Sequence, residues 1–168
     1  MQIILIGMRV AGKTYFGKKI AEKLQFSFVD LDDYIVEKNK MTIAEMVETK
    51  GWDFFREKEY EAFLDSLKKD KVIIAAGAGL VTFEKNQSLL EKQKFVIWVK
   101  TPEKVMLDYL KGGENKHRPS LTGKSLEEEF LEVYEERKPL YKKLANFIFD
   151  TEKDLEEVLK KMKEEFLI

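Results

Sequence analysis

"GMRVAGKT", residues 7–14, follows directly on the apolar run "IILI" at 3–6. It has the form Gly-x-x-x-x-Gly-Lys-Thr, a loop whose backbone N–H groups turn inward around phosphate oxygens while the lysine reaches the terminal phosphates and the hydroxyl holds Mg²⁺. The pattern carries that meaning only between a strand and a helix. Gln2 to Ile6 reads as a buried strand, and "KTYFGKKIAEKL" at 13–24 reads as the helix, with Ile20, Ala21 and Leu24 at helical spacing behind Phe16 and Gly17. Such a helix points the partial positive charge of its N-terminus at the loop, where anions bind. A plain glycine-bearing turn is the competing reading, and the flanking elements count against it.

Working outward, four more β-type runs appear: "FSFVD" at 26–30, "VIIAA" at 72–76, "FVIWV" at 95–99 and "NFIFD" at 146–150. Helical pattern separates each from the next. This alternation predicts an α/β fold with a parallel sheet covered by helices on both faces and ligands at the carboxyl ends of the strands. Asp33 to Lys69 is too long for a minimal crossover, so part of it is expected to stand out as a substrate-binding insertion. The polar, glycine-bearing stretch "KGGENKHRPSLTGKS" at 111–125 reads as a mobile lid, with a passive surface loop as the alternative. After it, "LEEEFLEVYEERKPLYKKLA" reads as an amphipathic helix interrupted near Pro139, and "DLEEVLKKMKEEFL" as a closing helix with Leu155, Val158, Leu159, Met162 and Phe166 on one face.

With 168 residues the chain is expected to form one domain, residues 1–168, that must bind every substrate itself. Lys plus Arg total 30 against 31 for Asp plus Glu, so the net charge of −1 gives no global field for nucleic acid or membrane. Any anion site has to be local. There is no cysteine, no apolar run of the roughly 18 residues that a membrane span needs, and no signal-peptide pattern ahead of the first strand. A cytoplasmic enzyme, monomeric and acting on small molecules, is the expectation.

Directly after the second strand stands "VDLDD" at 29–33, where period-two alternation sets Asp30 and Asp32 on one side of an extended segment facing the phosphate loop. Such a pair can hold Mg²⁺ through its waters, or accept and orient a proton on an attacking hydroxyl. Asp33 reads as the N-cap of the helix that follows.

Together with the phosphate loop and this Asp-x-Asp, the motifs "FFREKE" at 54–59, "GAG" at 77–79, "HRPSL" at 117–121 and "ERKPLY" at 136–141 occur in the order and approximate spacing of the shikimate kinases. The chain resembles that family over nearly its whole length. The resemblance implies a three-layer P-loop kinase fold of the nucleoside-monophosphate-kinase type, with a five-stranded parallel sheet. It also implies transfer of the γ-phosphate of ATP to the 3-hydroxyl of shikimate with Mg²⁺.

By the same resemblance, Lys13 is the phosphate-binding lysine, and Gly7, Ala11, Gly12, Thr14 and Tyr15 complete the nucleotide loop, with Lys153 near the adenine-binding segment. Thr14 and Asp30 attend the metal. Asp32 contacts the shikimate hydroxyls and is the proposed base, while Arg56 and Arg137 grip the carboxylate and Glu59 orients Arg56. Gly77, Ala78 and Gly79 form the loop beside the ring, and Arg118 is the lid arginine that reaches the transferring phosphate. Independent chemistry is compatible: a carboxylate is matched by a two-pronged guanidinium, which lysine cannot reproduce, and glycine lets backbone approach a ring closely, although without the resemblance Arg56 and Arg137 read as helix-surface charges paired with Glu neighbours.

Ile43, Val47 and Phe55 are candidate pocket walls, with plain core as the alternative; Trp52 and its neighbours read chiefly as packing, and His117 as a solvated side chain. Three positions depart from the family pattern: Val10 and Ala78 stand where glycine is usual, and Ser120 where leucine is usual. A gluconate or nucleotide kinase of the same fold, and a nucleotide-binding regulatory paralogue without activity, are the rival readings. The lid assignment is tested by Arg118→Ala, which is expected to lower kcat by about 10²–10⁴-fold with much smaller changes in either KM. A near-normal kcat in steady-state kinetics would remove Arg118 from the transition state.

Overall fold

The computed structural model describes residues 1–112 and 120–166. Strands built of unbroken Val, Ile and Leu offer no polar face to water and must be covered on both sides. This applies to β1 (Gln2–Ile6), in which Ile3, Ile4, Leu5 and Ile6 are all buried. Along the chain follow α1 (Lys13–Leu24), β2 (Ser27–Asp30), α2 (Leu31–Asn39), α3 (Ile43–Leu67), β3 (Val72–Ala75), α4 (Glu84–Leu90), β4 (Val96–Lys100), α5 (Glu103–Lys111), α6 (Leu126–Leu144), β5 (Phe147–Asp150) and α7 (Leu155–Phe166).

The five strands form one parallel sheet in the order β2-β3-β1-β4-β5. Ile4 at its centre pairs with Ile74 on one side and Val96 on the other. From β1 the chain crosses to β2 at one edge, and from β3 it crosses to β4 on the far side of β1. The loops leaving β1 and β3 therefore diverge and open a crevice at the carboxyl ends of the strands, where ligands of such sheets bind. The expected α/β architecture is present, with strand ends shifted by about one residue, within the usual uncertainty of boundaries.

Two local expectations need correction. Asp33 does not cap α2. The helix starts at Leu31, directly after β2, and Asp30 is the N-cap, its Oδ1 accepting from the Asp32 backbone N at 3.1 Å. Asp32 thus sits in the first turn of a helix and not on an extended strand.

Pro139 does not interrupt α6. Proline removes one N–H and crowds the carbonyl four residues back. Pro139 and Glu135 are both exposed, whereas Val133, Tyr134, Arg137 and Tyr141 are buried, so the defect falls on the face that water can satisfy.

Within the segment 33–69, Met46, Phe55, Ala62 and Phe63 belong to the same apolar core as the sheet. What sets it off is a kink in α3 at Gly51, with φ 83 and ψ 168, that redirects the chain before Trp52. The closing helix α7 buries Val158, Leu159, Met162 and Phe166 as its spacing predicts. Among the described residues no helix is long and apolar enough to cross a membrane.

Candidate active site

Two adjoining clefts lie at the carboxyl edge of the sheet. The first is lined by Arg9, Val10, Gly12, Lys13, Thr14, Tyr15, Asp30, Asp32, Ala76, Gly77 and Ala78. Gly12 takes the left-handed conformation (φ 85) at the N-cap of α1 and no side chain caps that helix, so its first-turn N–H groups are left for an anion. Lys13 Nζ donates to the carbonyls of Gly7 (2.9 Å) and Met8 (2.7 Å), which ties the lysine across the loop. Thr14 Oγ1 donates to Asp30 Oδ2 at 2.6 Å. One carboxylate therefore starts α2 with one oxygen and faces the threonine hydroxyl with the other.

The nucleotide assignments divide here. Gly12, Lys13, Thr14 and Tyr15 line the cleft, although most of the Tyr15 ring faces solvent. Gly7 contributes a carbonyl to Lys13, and Ala11 turns its methyl into the core while its carbonyl accepts from Thr101. Lys153 is exposed in the turn after β5 and is not among the residues lining either cleft. Arg118 and His117 lie outside the described residues.

The second cleft is lined by Asp32, Arg56, Glu59, Gly77, Ala78, Gly79 and Arg137, among others. All six residues expected at the acid substrate are thus brought together. Ile43 and Phe55 also line the cleft, whereas Val47 packs against the core. Trp52, read from sequence as packing, is a wall of the cleft, and the Arg56 guanidinium lies over its ring at 5.4 Å. Met8, Arg9, Leu121 and Val133 complete the lining and escaped the sequence reading.

Arg56 Nη1 donates to Glu59 Oε2 at 2.8 Å, one turn on in α3. The glycines explain how the guanidinium reaches the loop after β3. A Cβ on Gly79 would fall 2.3 Å from Arg56 Nη2, and one on Gly77 would fall 2.7 Å from Glu59 Oε1 and 2.9 Å from Asp32 Oδ1. Ala78 between them is outside the left-handed region and is held by its carbonyl, which accepts from Tyr141 at 2.7 Å. Its replacement of glycine is therefore free of backbone strain.

Val10 is different: it does adopt φ 56, at a cost on the order of 1 kcal/mol or more for a β-branched residue. Its side chain packs against the core, which offsets part of that cost.

Arg137 is buried and its Nε has no hydrogen-bond partner. Burial, with the Arg56 charge adding to it, holds its pKa below the ordinary arginine value, while the neighbouring Tyr141 works the other way. An under-satisfied buried guanidinium beside a second arginine favours an anionic ligand.

The family model for shikimate kinase matches residues 9–166. The chain belongs to the shikimate kinase family. Shikimate kinase 2 of Yersinia enterocolitica is 35% identical over 161 residues, which cover 95% of this chain and 92% of that protein. Shikimate kinase 2 of Escherichia fergusonii is 38% identical over 149 residues, covering 88% and 82% respectively. Among solved structures, the shikimate kinase from Acinetobacter baumannii in complex with shikimate is similar with a TM-score of 0.87 at 28% identity, over 99% of this chain and 92% of that one.

Glu59 carries a pH signature of this shikimate kinase family member. Burial pushes its carboxyl up to about 7; the Asp32 charge adds to the rise, and Arg56 and Arg137 oppose it. A raised carboxyl pKa means the folded state holds its proton longer than the unfolded chain does. The resulting stability is full below the ordinary value of 4.5 and is lost as pH rises toward 7. Urea denaturation across that interval is expected to show wild type losing up to about 3 kcal/mol relative to Glu59→Gln. Parallel curves for the two proteins would mean that Glu59 is ionised throughout.

Proposed function

We propose that this chain transfers the γ-phosphate of ATP to the 3-hydroxyl of shikimate, giving shikimate 3-phosphate and ADP. Family membership supports the reaction, and the observation that carries it is Asp32, which lines both clefts at their junction. A group there can face an acceptor hydroxyl on one side and a terminal phosphate on the other.

In this reading Arg56 and Arg137 take the acceptor carboxylate, and Gly77 to Gly79 let the ring lie close to backbone. The acceptor oxygen bonds to the γ-phosphorus as the bond to the β–γ bridging oxygen breaks. The hydroxyl proton passes to the Asp32 carboxylate, and ADP leaves. Lys13 and the N–H groups of the phosphate loop offset charge on the phosphates, and positioning supplies much of the remaining rate.

The hard oxygens of Thr14 and Asp30, 2.6 Å apart at the phosphate cleft, fit Mg²⁺, which takes few protein ligands and fills its shell with phosphate oxygens and water. When bound, the ion supplies charge neutralisation on the phosphates. One domain holding both substrates, a monomeric state and a cytoplasmic location complete the reading.

Asp32→Asn keeps shape and removes the proton acceptor, so kcat is expected to fall by roughly a hundredfold or more with KM for ATP little changed. An effect confined to ATP affinity would make Asp32 a nucleotide contact instead. Arg56→Lys keeps the charge and loses the fork. KM for shikimate should rise by an amount on the order of 1–3 kcal/mol in binding, and an unchanged KM would return Arg56 to a structural role.

A further inference from the structure

Glu129 stands third in the acidic run "EEE" at 127–129 that opens α6. The helix is already capped by Ser125 and Glu128 in a reciprocal capping box, so Glu129 is not needed for that end. It is 2% exposed, unlike its two acidic neighbours. Its Oε2 accepts from the backbone N of Leu121 (2.9 Å) and Thr122 (3.0 Å), and from the hydroxyls of Thr122 (3.1 Å) and Ser120 (2.5 Å). Its Oε1 accepts from Arg9 Nη2, in the phosphate loop, at 3.4 Å.

Ser120 Oγ in turn accepts from Gly123 N at 2.8 Å, so the whole turn 120–123 is drawn onto one carboxylate. Burial alone would raise the Glu129 pKa, but these donors outweigh it and hold the group below the ordinary carboxylate value, ionised at neutral pH.

What Glu129 collects are parts of the site. Leu121 lines the acid cleft, and Arg9 lines both clefts, as Asp32 does. We infer that Glu129 is a positioning residue for phosphoryl transfer, fixing Leu121 as a wall of the acid cleft and Arg9 at the junction between acceptor and nucleotide. It lines neither cleft itself. Ser120 is the matching half of the device, since its hydroxyl donates to Glu129 and accepts from Gly123 N.

This inference rests on the function proposed above, so wild type is assayed first by coupled ADP release with shikimate, gluconate and nucleoside monophosphates. Failure on shikimate counts against that function alone, and the acceptor that is turned over is carried forward. Glu129→Gln keeps the shape but turns an N–H₂ toward groups that are all donors. Its KM for the acceptor is expected to rise about tenfold or more and kcat to fall, with KM for ATP changing less than about threefold, because hydrogen bonds to a charged group are the stronger kind.

Ser120→Ala removes one donor and leaves the backbone contacts. It should shift the acceptor KM in the same direction by roughly two- to fivefold. Titration of the acceptor against the fluorescence of Trp52, a wall of the same cleft, reads binding without turnover. Unchanged acceptor KM in both variants overturns the inference. So does an equal rise in both KM values accompanied by a lower melting temperature, which would make Glu129 a fold anchor only.

Discussion

A cleft that recognises an acid must keep cations out of water, and the carboxylates buried with them decide whether the fold can bear it. Arg9, Arg56 and Arg137 converge on the acid cleft, and Glu59 and Asp32 line it as well. Glu59 and Glu129 are more deeply buried than the arginines they hold, with side-chain exposures of 1% and 3% against 15% for Arg56 and 10% for Arg9. Burying an unpaired charge costs several kcal/mol, whereas a paired and hydrogen-bonded one is tolerated. Glu59 thus holds Arg56, and Glu129 holds Arg9, at the wall of the cleft. Among the described residues Arg137 makes no ion pair within 4 Å, and it lies beside Tyr141 with its Nε lacking a hydrogen-bond partner.

Most of the architecture was legible in the sequence because it rests on local signals. The apolar runs of β1, β3 and β4 are short and rich in Val and Ile, which favours buried strands, and the phosphate loop is a contiguous pattern with its own flanks. The errors arise where two local rules compete. Asp30, Asp32 and Asp33 are all acceptable caps, and the abrupt passage from β2 into α2 chose the first. Pro139 ordinarily ends a helix, but its place on the solvent face let the buried stripe of α6 prevail.

The site was legible only in part, for a different reason. Arg56, Arg137 and the glycines belong to motifs, whereas Trp52, Leu121 and Glu129 matter through contacts that composition does not announce. Glu129 meets Arg9 across 120 positions of sequence, and Tyr141 meets Ala78 across 63. One signal was present nonetheless. Glu129, Val133, Arg137 and Tyr141 recur at four-residue spacing along α6, so a carboxylate, an arginine and a tyrosine share a buried stripe. Polar residues on such a stripe must find partners in the interior, and those partners are the loops after β1 and β3 and the turn before α6.

The phosphate loop is also held from its far side, and this bears on how it tolerates Val10. Thr101, just past β4, donates its hydroxyl to the Ala11 carbonyl at 2.9 Å and accepts from the Thr151 hydroxyl at 3.0 Å. In a trans peptide the C=O and the following N–H point in opposite directions. Anchoring the Ala11 carbonyl to Thr101 therefore turns the Gly12 N–H away from β4, on the residue that lines the phosphate cleft. In this chain Val10 is committed to one strained conformation while Thr101 fixes the next peptide but one. The loop around Val10 is over-determined: Lys13 ties its front to Gly7 and Met8, and the two threonines tie its back to the ends of β4 and β5. Strain of this kind persists only where the surroundings leave no alternative, and a rigid ring of N–H donors is also what a phosphate site requires.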